Sequence, residues 1–234
     1  MRSSADALSR FVFILAESEL ELVPREILSE KCIVAYTRSK GKKASNILLD
    51  ASYHHSAMRK LPDGERRGRP DIAHFFLLLC LDSRLNRLGR LRTVVHTRND
   101  ERILISPDTR LPPSHHRFIG LFENLFQNAA VPSKEHPLIS IESGWTLADI
   151  LRSEKCDRNL LFDIDGKEMN PLDALMERAS ATTAIVIGGF PSGSLRADLS
   201  GLAVERISLG KELLKVWTVT SEMLSAAHAT ATAP

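Results

Sequence analysis

Three arginines and a carboxylate crowd into Arg66-Arg67-Gly68-Arg69-Pro70-Asp71. A proline followed by an acid and an apolar run predicts the amino end of a buried helix. Helix amino ends attract anions, and flanking guanidiniums make this one doubly suited to phosphate. Asp71 fits two roles: a structural carboxylate that caps the helix or clamps Arg69, or a group taking part in chemistry. A second basic stretch, Asp108-Thr109-Arg110-Leu111-Pro112-Pro113-Ser114-His115-His116-Arg117, sets Arg110 and Arg117 on either side of a proline-stiffened turn. Such a turn presents cations rigidly to a polyanion. The third site is Gly188-Gly189-Phe190-Pro191-Ser192-Gly193, after an apolar run. Glycines at a strand's carboxyl end let backbone approach a ligand closely, and the same fragment also fits a plain turn.

Other chemistries lack their residues. The glycine loop is neither G-x-G-x-x-G nor followed by Lys-Ser/Thr, which argues against dinucleotide and P-loop sites, and no G-x-S-x-G elbow occurs. Glu17 and Glu19 are available for acid–base work but are nonspecific. His54-His55 and His115-His116 are adjacent pairs, which point apart on a helix and cannot readily share a metal, and Cys32, Cys80 and Cys156 are scattered, so no metal site is expected. The whole chain carries a formal charge of +2, an average that argues against a nucleic-acid partner and misleads. Residues 59–117 hold thirteen basic and seven acidic side chains, a net of +6, while the remainder, with eighteen and twenty-two, carries −4. Twelve of those thirteen are arginine, whose planar fork suits phosphates and bases; a solvated, salt-bridged surface has the same composition. The start MRSSADALSR lacks a signal peptide's apolar core, and no apolar run approaches a membrane span, so a cytoplasmic location is expected.

These residues need positioning elements. Apolar residues over 11–16 predict a buried strand, Pro24 a helix over 24–31, and 38–43 an exposed basic loop before a strand over 47–50. In that loop Lys42 and Lys43 are solvated or touch phosphate. A helix from Pro70, apolar almost all round, is expected to end near Gly89, with strands over 91–97 and 102–106 joined by a turn at 98–101. Phe118, Leu121, Phe122, Leu125 and Phe126 recur on one helical face. Residues 129–137 are the expected linker. Beyond it come a helix (146–152), a strand (160–164), a helix (171–179), strands over 184–187 and 204–207, a long helix (213–228) and a disordered tail (229–234). The alternation predicts a mostly parallel α/β sheet.

Taken in order, several of these stretches form a pattern: Ala16-Glu17-Ser18, Glu21-Leu22-Val23-Pro24, Leu49-Asp50, Tyr53-His54-His55, Arg66-Arg67-Gly68-Arg69-Pro70-Asp71-Ile72, Leu81-Asp82-Ser83-Arg84-Leu85-Asn86, Gly89-Arg90-Leu91, Ser106-Pro107-Asp108-Thr109-Arg110-Leu111-Pro112, Arg117-Phe118-Ile119-Gly120-Leu121 and the glycine loop. Across 11–228 the chain resembles the ribosomal small-subunit pseudouridine N1-methyltransferase family, in its archaeal form. The resemblance implies one SPOUT domain over 1–234: an α/β sheet with a carboxyl-terminal trefoil knot over 138–228 that holds S-adenosylmethionine. It also implies an Arg-rich RNA-binding extension over roughly 36–117, a homodimer, and a stem-loop of small-subunit ribosomal RNA as partner. Position by position, it implies cofactor contacts at Asp163, Gly188, Gly193, Ile207, Ser208, Leu209, Gly210, Lys211, Glu212, Leu213 and Leu214. RNA contacts are implied at Arg66, Arg67, Arg69, Asp71, Arg110 and Arg117, with Arg69, Asp71 and Arg117 as the catalytic group. Pro113 departs from the pattern, standing where the family has an arginine; His115, His116 or Arg98 can compensate. An RNA-binding ribosome-assembly factor with secondary methylation is the alternative.

Overall fold

The structure is a computed structural model describing residues 10–177 and 181–232. In chain order the elements are β1 (Arg10–Ser18), α1 (Lys31–Lys40), α2 (Ala51–Met58), α3 (Pro70–Asp82), α4 (Arg84–Arg87), β2 (Leu91–Thr97), β3 (Glu101–Ile105), α5 (His115–Asn128), β4 (Ala130–Val131), β5 (Ile139–Ser143), α6 (Leu147–Glu154), β6 (Arg158–Glu168), α7 (Pro171–Met176), β7 (Thr182–Gly188), β8 (Glu205–Ser208) and α8 (Val216–Thr232). One sheet joins all eight strands in the order β4-β5-β3-β2-β1-β7-β6-β8.

β1 runs through the middle, parallel to β2 on one side and β7 on the other. Its continuous apolar sequence follows from burial on both faces. Phe11, Phe13 and Leu15 pack with α3, α5 and α8 residues such as Phe76, Phe122 and Met223, while Val12, Ile14 and Ala16 meet Leu147, Ile150 and Leu151 of α6. The expectation of a mostly parallel sheet holds for the half from β2 to β8; β3, β5 and β4 pair antiparallel beyond it. β5 and β4 occupy part of the stretch read as linker and the residues just after it, because their alternating apolar residues extend the sheet edge.

Residues 23–61 build a small core of their own from Val23, Ile27, Ile33, Ile47, Leu49, Ala57, Met58 and Leu61. Here the sequence expectations need most correction. Pro24 opens only a short 3-10 turn, Arg25–Ile27, and the helix is α1, which continues through Arg38 to Lys40 and stops at Gly41 with φ +62. The stretch 47–50 touches its neighbour through one bridge, Leu22 to Leu48, because Asp50 already turns the chain into α2, accepting a bond from Ser52 N at 2.8 Å. The helix from Pro70 breaks at Ser83, whose extended backbone ends α3 and whose hydroxyl caps α4 by accepting from Asn86 N.

The last helix starts three residues later than expected, at Val216, and continues to Thr232. The segment read as a disordered tail is therefore helical up to there: Ala231 is buried and its carbonyl accepts from Arg90 Nη1 at 2.6 Å. Residues 233–234 lie outside the described residues, as do 1–9, and the expected end of the helix over 171–179 falls on 178–180, also outside them. No helix among the described residues is long and apolar enough to cross a membrane.

Candidate functional site

A pocket opens where the end of β7, the middle of β6 and the segment after β8 converge, with α3 on its rim. Asp163, Gly188, Gly193, Ile207, Ser208, Leu209, Glu212, Leu213 and Leu214 all line it, together with Arg69, Ile72, Phe190 and Trp217. Gly210 and Lys211 lie within the same turn without forming its wall; Gly210 has φ +155 and its amide hydrogen bonds to Ser208 Oγ at 3.3 Å. Asp163 sits where β6 leaves register: Phe162 and Lys167 both pair with Ile207, so 163–166 bow out of the ladder. Gly166 permits the crossing, because a Cβ there would stand 2.6 Å from Ile207 backbone.

The glycine loop is pressed onto β1. Gly189 N donates to the Ala16 carbonyl at 2.6 Å, Glu19 N donates back to the Gly189 carbonyl, and a Cβ at Gly189 would meet Ser18 Cα at 2.7 Å. The plain-turn reading of the fragment therefore understates it: Gly189 carries the β1–β7 pairing one residue past Gly188 and seats the loop tightly beside β1, while Gly188 and Gly193 line the pocket.

Arg66 fastens this loop from the other side. Its guanidinium lies over the Phe190 ring, 3.6 Å from the centroid, donates to the Ser194 carbonyl at 2.8 Å, and reaches Glu17 Oε2 at 2.6 Å and Glu19 Oε1 at 2.7 Å. Glu17 in turn accepts from the backbone amides of Arg196 and Ala197 through its other oxygen. Glu17 holds φ at +49, a left-handed conformation rare outside glycine, and its amide donates to His96 Nδ1 at 3.1 Å. Burial lowers the His96 pKa against the opposing pull of Asp100. The neutral ring then carries its proton on Nε2, 3.0 Å from Asp100 Oδ1.

Arg67 forms a two-pronged pair with Glu21 at 2.7 Å for each bond, and Arg98 donates to Glu19 Oε2 at 2.7 Å. All three glutamates and both Arg66 and Arg67 are buried. Arg66 and Arg67, expected among exposed RNA contacts, thus belong to a buried carboxylate–guanidinium cluster behind the pocket. Sequence reading missed Glu21 as a site residue, gave Arg98 an RNA-side role in place of its pairing with Glu19, assigned Phe190 no contact within the glycine loop, and left Glu17 and Glu19 nonspecific. The signal was the alternating Glu-x-Glu-x-Glu at 17–21, but nothing in sequence pairs it with residues nearly fifty positions away.

Arg69 and Asp71 meet at the pocket rim. Arg69 Nε donates to Asp71 Oδ1 at 2.8 Å and Nη2 to Oδ2 at 2.7 Å, and the bond to Asp71 raises the arginine's pKa. Of its two structural options, Asp71 takes the clamp; the α3 amino end has no side-chain cap. The Arg110–Arg117 turn is anchored beneath its cations: Thr109 Oγ1 donates to the Leu138 carbonyl, and His74 Nε2 bonds the Pro112 carbonyl at 2.9 Å. Arg110, Pro113, His116 and Arg117 are exposed, and neither arginine has an ion-pair partner among the described residues. His115 Nε2 lies 3.5 Å from Asp50 Oδ2, and Arg98, one of the proposed substitutes for the missing arginine, is committed to Glu19. Among the described residues no three His, Cys, Asp or Glu side chains gather as metal ligands.

The architecture has solved counterparts. The crystal structure of Archaeoglobus fulgidus Nep1 bound to S-adenosylhomocysteine superposes with a TM-score of 0.80 at 35% identity, covering 95% of this chain and 98% of that one. The ribosomal RNA small subunit methyltransferase Nep1 of Pyrococcus furiosus is 45% identical over 216 residues, 92% of this chain and 95% of the relative. The protein of the same name from Methanothrix thermoacetophila is 44% identical over 90% of this chain and 92% of its own length. The family model described as EMG1/NEP1 methyltransferase matches residues 13–228, from the third residue of the central strand's buried run to the last helix, so the pocket, the clamp and the buried cluster all fall within it and the chain belongs to that family.

Proposed function

We propose that the protein methylates small-subunit ribosomal RNA with S-adenosylmethionine, at ring nitrogen N1 of a pseudouridine. The observation that supports it most is the joining of two features at one rim: an apolar, glycine-floored pocket and the Arg69–Asp71 clamp. The pocket's chemistry fits that cofactor. Ile187, Ile207, Leu209 and Leu214 offer apolar walls to an adenine, and the backbone of 188–194 and 207–210 offers amides and carbonyls at close range. Asp163, Gly188, Gly193 and the turn 207–214 are the residues that would hold it. When bound, S-adenosylmethionine supplies an electrophilic methyl group.

The chain supplies orientation and electrostatics. A base in an RNA loop unstacks more readily than one in a duplex, which favours a loop target. Pseudouridine N1 must lose its proton, which passes to solvent water, and a guanidinium near the ring lowers the energy of the anion that develops. Arg69 is suited to this because Asp71 fixes its fork while a third of the pair's surface remains accessible, with side-chain exposures of 29% and 35%. Arg110 and Arg117 would hold the flanking phosphates. The close approach of Gly166 to the Ile207 backbone and the place of β6 between β7 and β8 support a trefoil knot, and we propose a homodimer as the working unit. Residues of roughly 36–117 serve as the RNA-binding extension, which shares Ile47, Leu49, Ala57, Met58 and Leu61 with the separate small core over 23–61.

The test is mass spectrometry of small-subunit RNA after incubation with purified protein and methyl-labelled cofactor. Label on N1 of pseudouridine is expected. Label on uridine or guanosine, or RNA binding with no label at all, would overturn the reading, the latter in favour of an assembly factor.

A further inference from the structure

We infer that Tyr53 and Tyr36 form a stacking subsite for an unpaired base of the bound RNA, beside a phosphate track made by Arg38, Lys40 and Lys43; the inference rests on the RNA reading above. Tyr53 lies in the first turn of α2 and is 58% exposed, among the largest values for any big apolar side chain described. Tyr36, from α1, is its neighbour, with ring centroids 5.0 Å apart and planes tilted by 42°. The two rings make a step rather than a loose pair, because the step has a fixed back. His54 is fully buried and packs edge-on against Tyr36 at 4.9 Å. Its Nδ1 accepts from Asp50 N at 3.0 Å.

Burial of His54 outweighs the pull of Asp50 and lowers its pKa, so the ring is neutral and carries its proton on Nε2, a buried atom with no hydrogen-bond partner among the described residues. A buried donor left unsatisfied is an uncommon expense for a surface helix.

The surroundings carry the sign of the ligand. Lys40 Nζ stands 5.7 Å from the Tyr36 centroid, and Arg38, Lys40 and Lys43 are exposed and lack ion-pair partners among the described residues. Lys42 is taken by Glu123 of α5. The step also adjoins the Arg110–Arg117 turn: Asp50, the α2 cap, lies 3.5 Å from His115 Nε2 in the first turn of α5, where Arg117 also lies. Flat neutral rings beside unpaired cations are what single-stranded RNA requires, since every base has a stackable face and every linkage a phosphate. A lone apolar patch for a protein partner would not need the cations.

The experiment measures binding of a loop-containing small-subunit RNA fragment, with 2-aminopurine placed at loop positions, to the full-length protein and to Tyr53→Ala, Tyr53→Phe and Lys40→Ala/Lys43→Ala. At least one loop position is expected to show quenched fluorescence with the parent and recovered fluorescence with Tyr53→Ala. Affinity should fall about tenfold in Tyr53→Ala and return in Tyr53→Phe, as loss of one stacked base predicts. The double lysine variant should bind more weakly with a shallower salt dependence. Parent-like affinity and quenching in Tyr53→Ala would overturn the subsite, as would an altered sedimentation coefficient with unchanged RNA binding, which would make the step a protein interface. A parent protein that binds no RNA would instead overturn the functional reading itself.

Discussion

Arg66 and Arg117 come from the same arginine-rich segment, yet they live in opposite environments. Arg66 has 8% of its side chain exposed and shares its donors among two carboxylates and a carbonyl. Arg117 is exposed and has no ion-pair partner among the described residues. The difference teaches how a charge count misleads. Six of the thirteen cations over 59–117 pair with carboxylates outside that segment: Lys60 with Glu30, Arg66 with Glu17, Arg67 with Glu21, Arg92 with Glu154, Arg98 with Glu19 and Arg102 with Glu142. The excess of positive charge read from the sequence is therefore largely internal. What faces an RNA is a smaller set, rigidly presented.

The comparison breaks most visibly at Arg66. In Arg66→Ala, Glu17 and Glu19 lose a buried partner and the 188–194 loop loses its side-chain tie at Ser194, keeping the backbone bonds at Gly189. Removing one member of a buried pair costs about 3–5 kcal/mol, because the remaining charge is left uncompensated. Urea unfolding should show the midpoint falling by that equivalent. A loss below about 0.5 kcal/mol would mean that the cluster is solvated, and the contrast with Arg117 would collapse.

Gly189→Ala sharpens the same side of the comparison without touching a charge. The new methyl would sit 2.7 Å from Ser18 Cα and 2.9 Å from Leu15 Cγ, and backbone cannot move aside as a side-chain tip can. Overpacking of this kind costs about 1–3 kcal/mol. Calorimetry should show a lower melting temperature together with weaker binding of S-adenosylhomocysteine. Parent-like values for both would show that the loop floats free of β1.

Much of the frame was legible because it is local. The apolar run 11–16 announced a central strand, Pro70 and Asp71 announced a helix start, and the spacing of Phe118, Phe122 and Leu125 announced a buried face. Residues 23–61 were poorly legible, since α1 has a weak apolar pattern and their small core is assembled from four separated pieces. Site residues were found where a short motif carries them, as with Gly188–Gly193 or Arg69–Asp71. The buried cluster escaped because its partners lie 46 to 79 positions apart, as with Arg67–Glu21 and Arg98–Glu19, and only the β1–β2 pairing and the approach of the 66–69 stretch bring them together.

Acid should weaken the buried side selectively. Burial lowers the pKa of His54, His74 and His96, against Asp50, the Pro112 carbonyl and Asp100 respectively. With folded values below unfolded ones, the unfolded chain binds more protons as pH falls through about 6.5, so stability is present above that value and declines beneath it. Each histidine contributes up to about 1.4 kcal/mol per pH unit within its window. Urea titrations at a series of acidic pH values should show the midpoint dropping, and a flat profile would remove these rings from the buried scaffold.

The exposed side is tested by Arg110→Ala and Arg117→Ala, for which the expected stability change is smallest. Neither arginine has an ion-pair partner to strand, and substitutions at such positions usually stay within about 0.5 kcal/mol. Their effect belongs to the ligand. A cation that neutralises a phosphate releases counterions, so its loss weakens RNA binding most at low salt and makes the dependence of log affinity on log salt shallower by about 0.7–0.9 per contact. Arg66→Ala should behave in the opposite way, with a large loss of stability and, at temperatures where it stays folded, an unchanged salt slope. If the Arg117→Ala slope matches the parent's, Arg117 is a solvated side chain, and the RNA-facing set narrows to the clamp and whatever the extension adds.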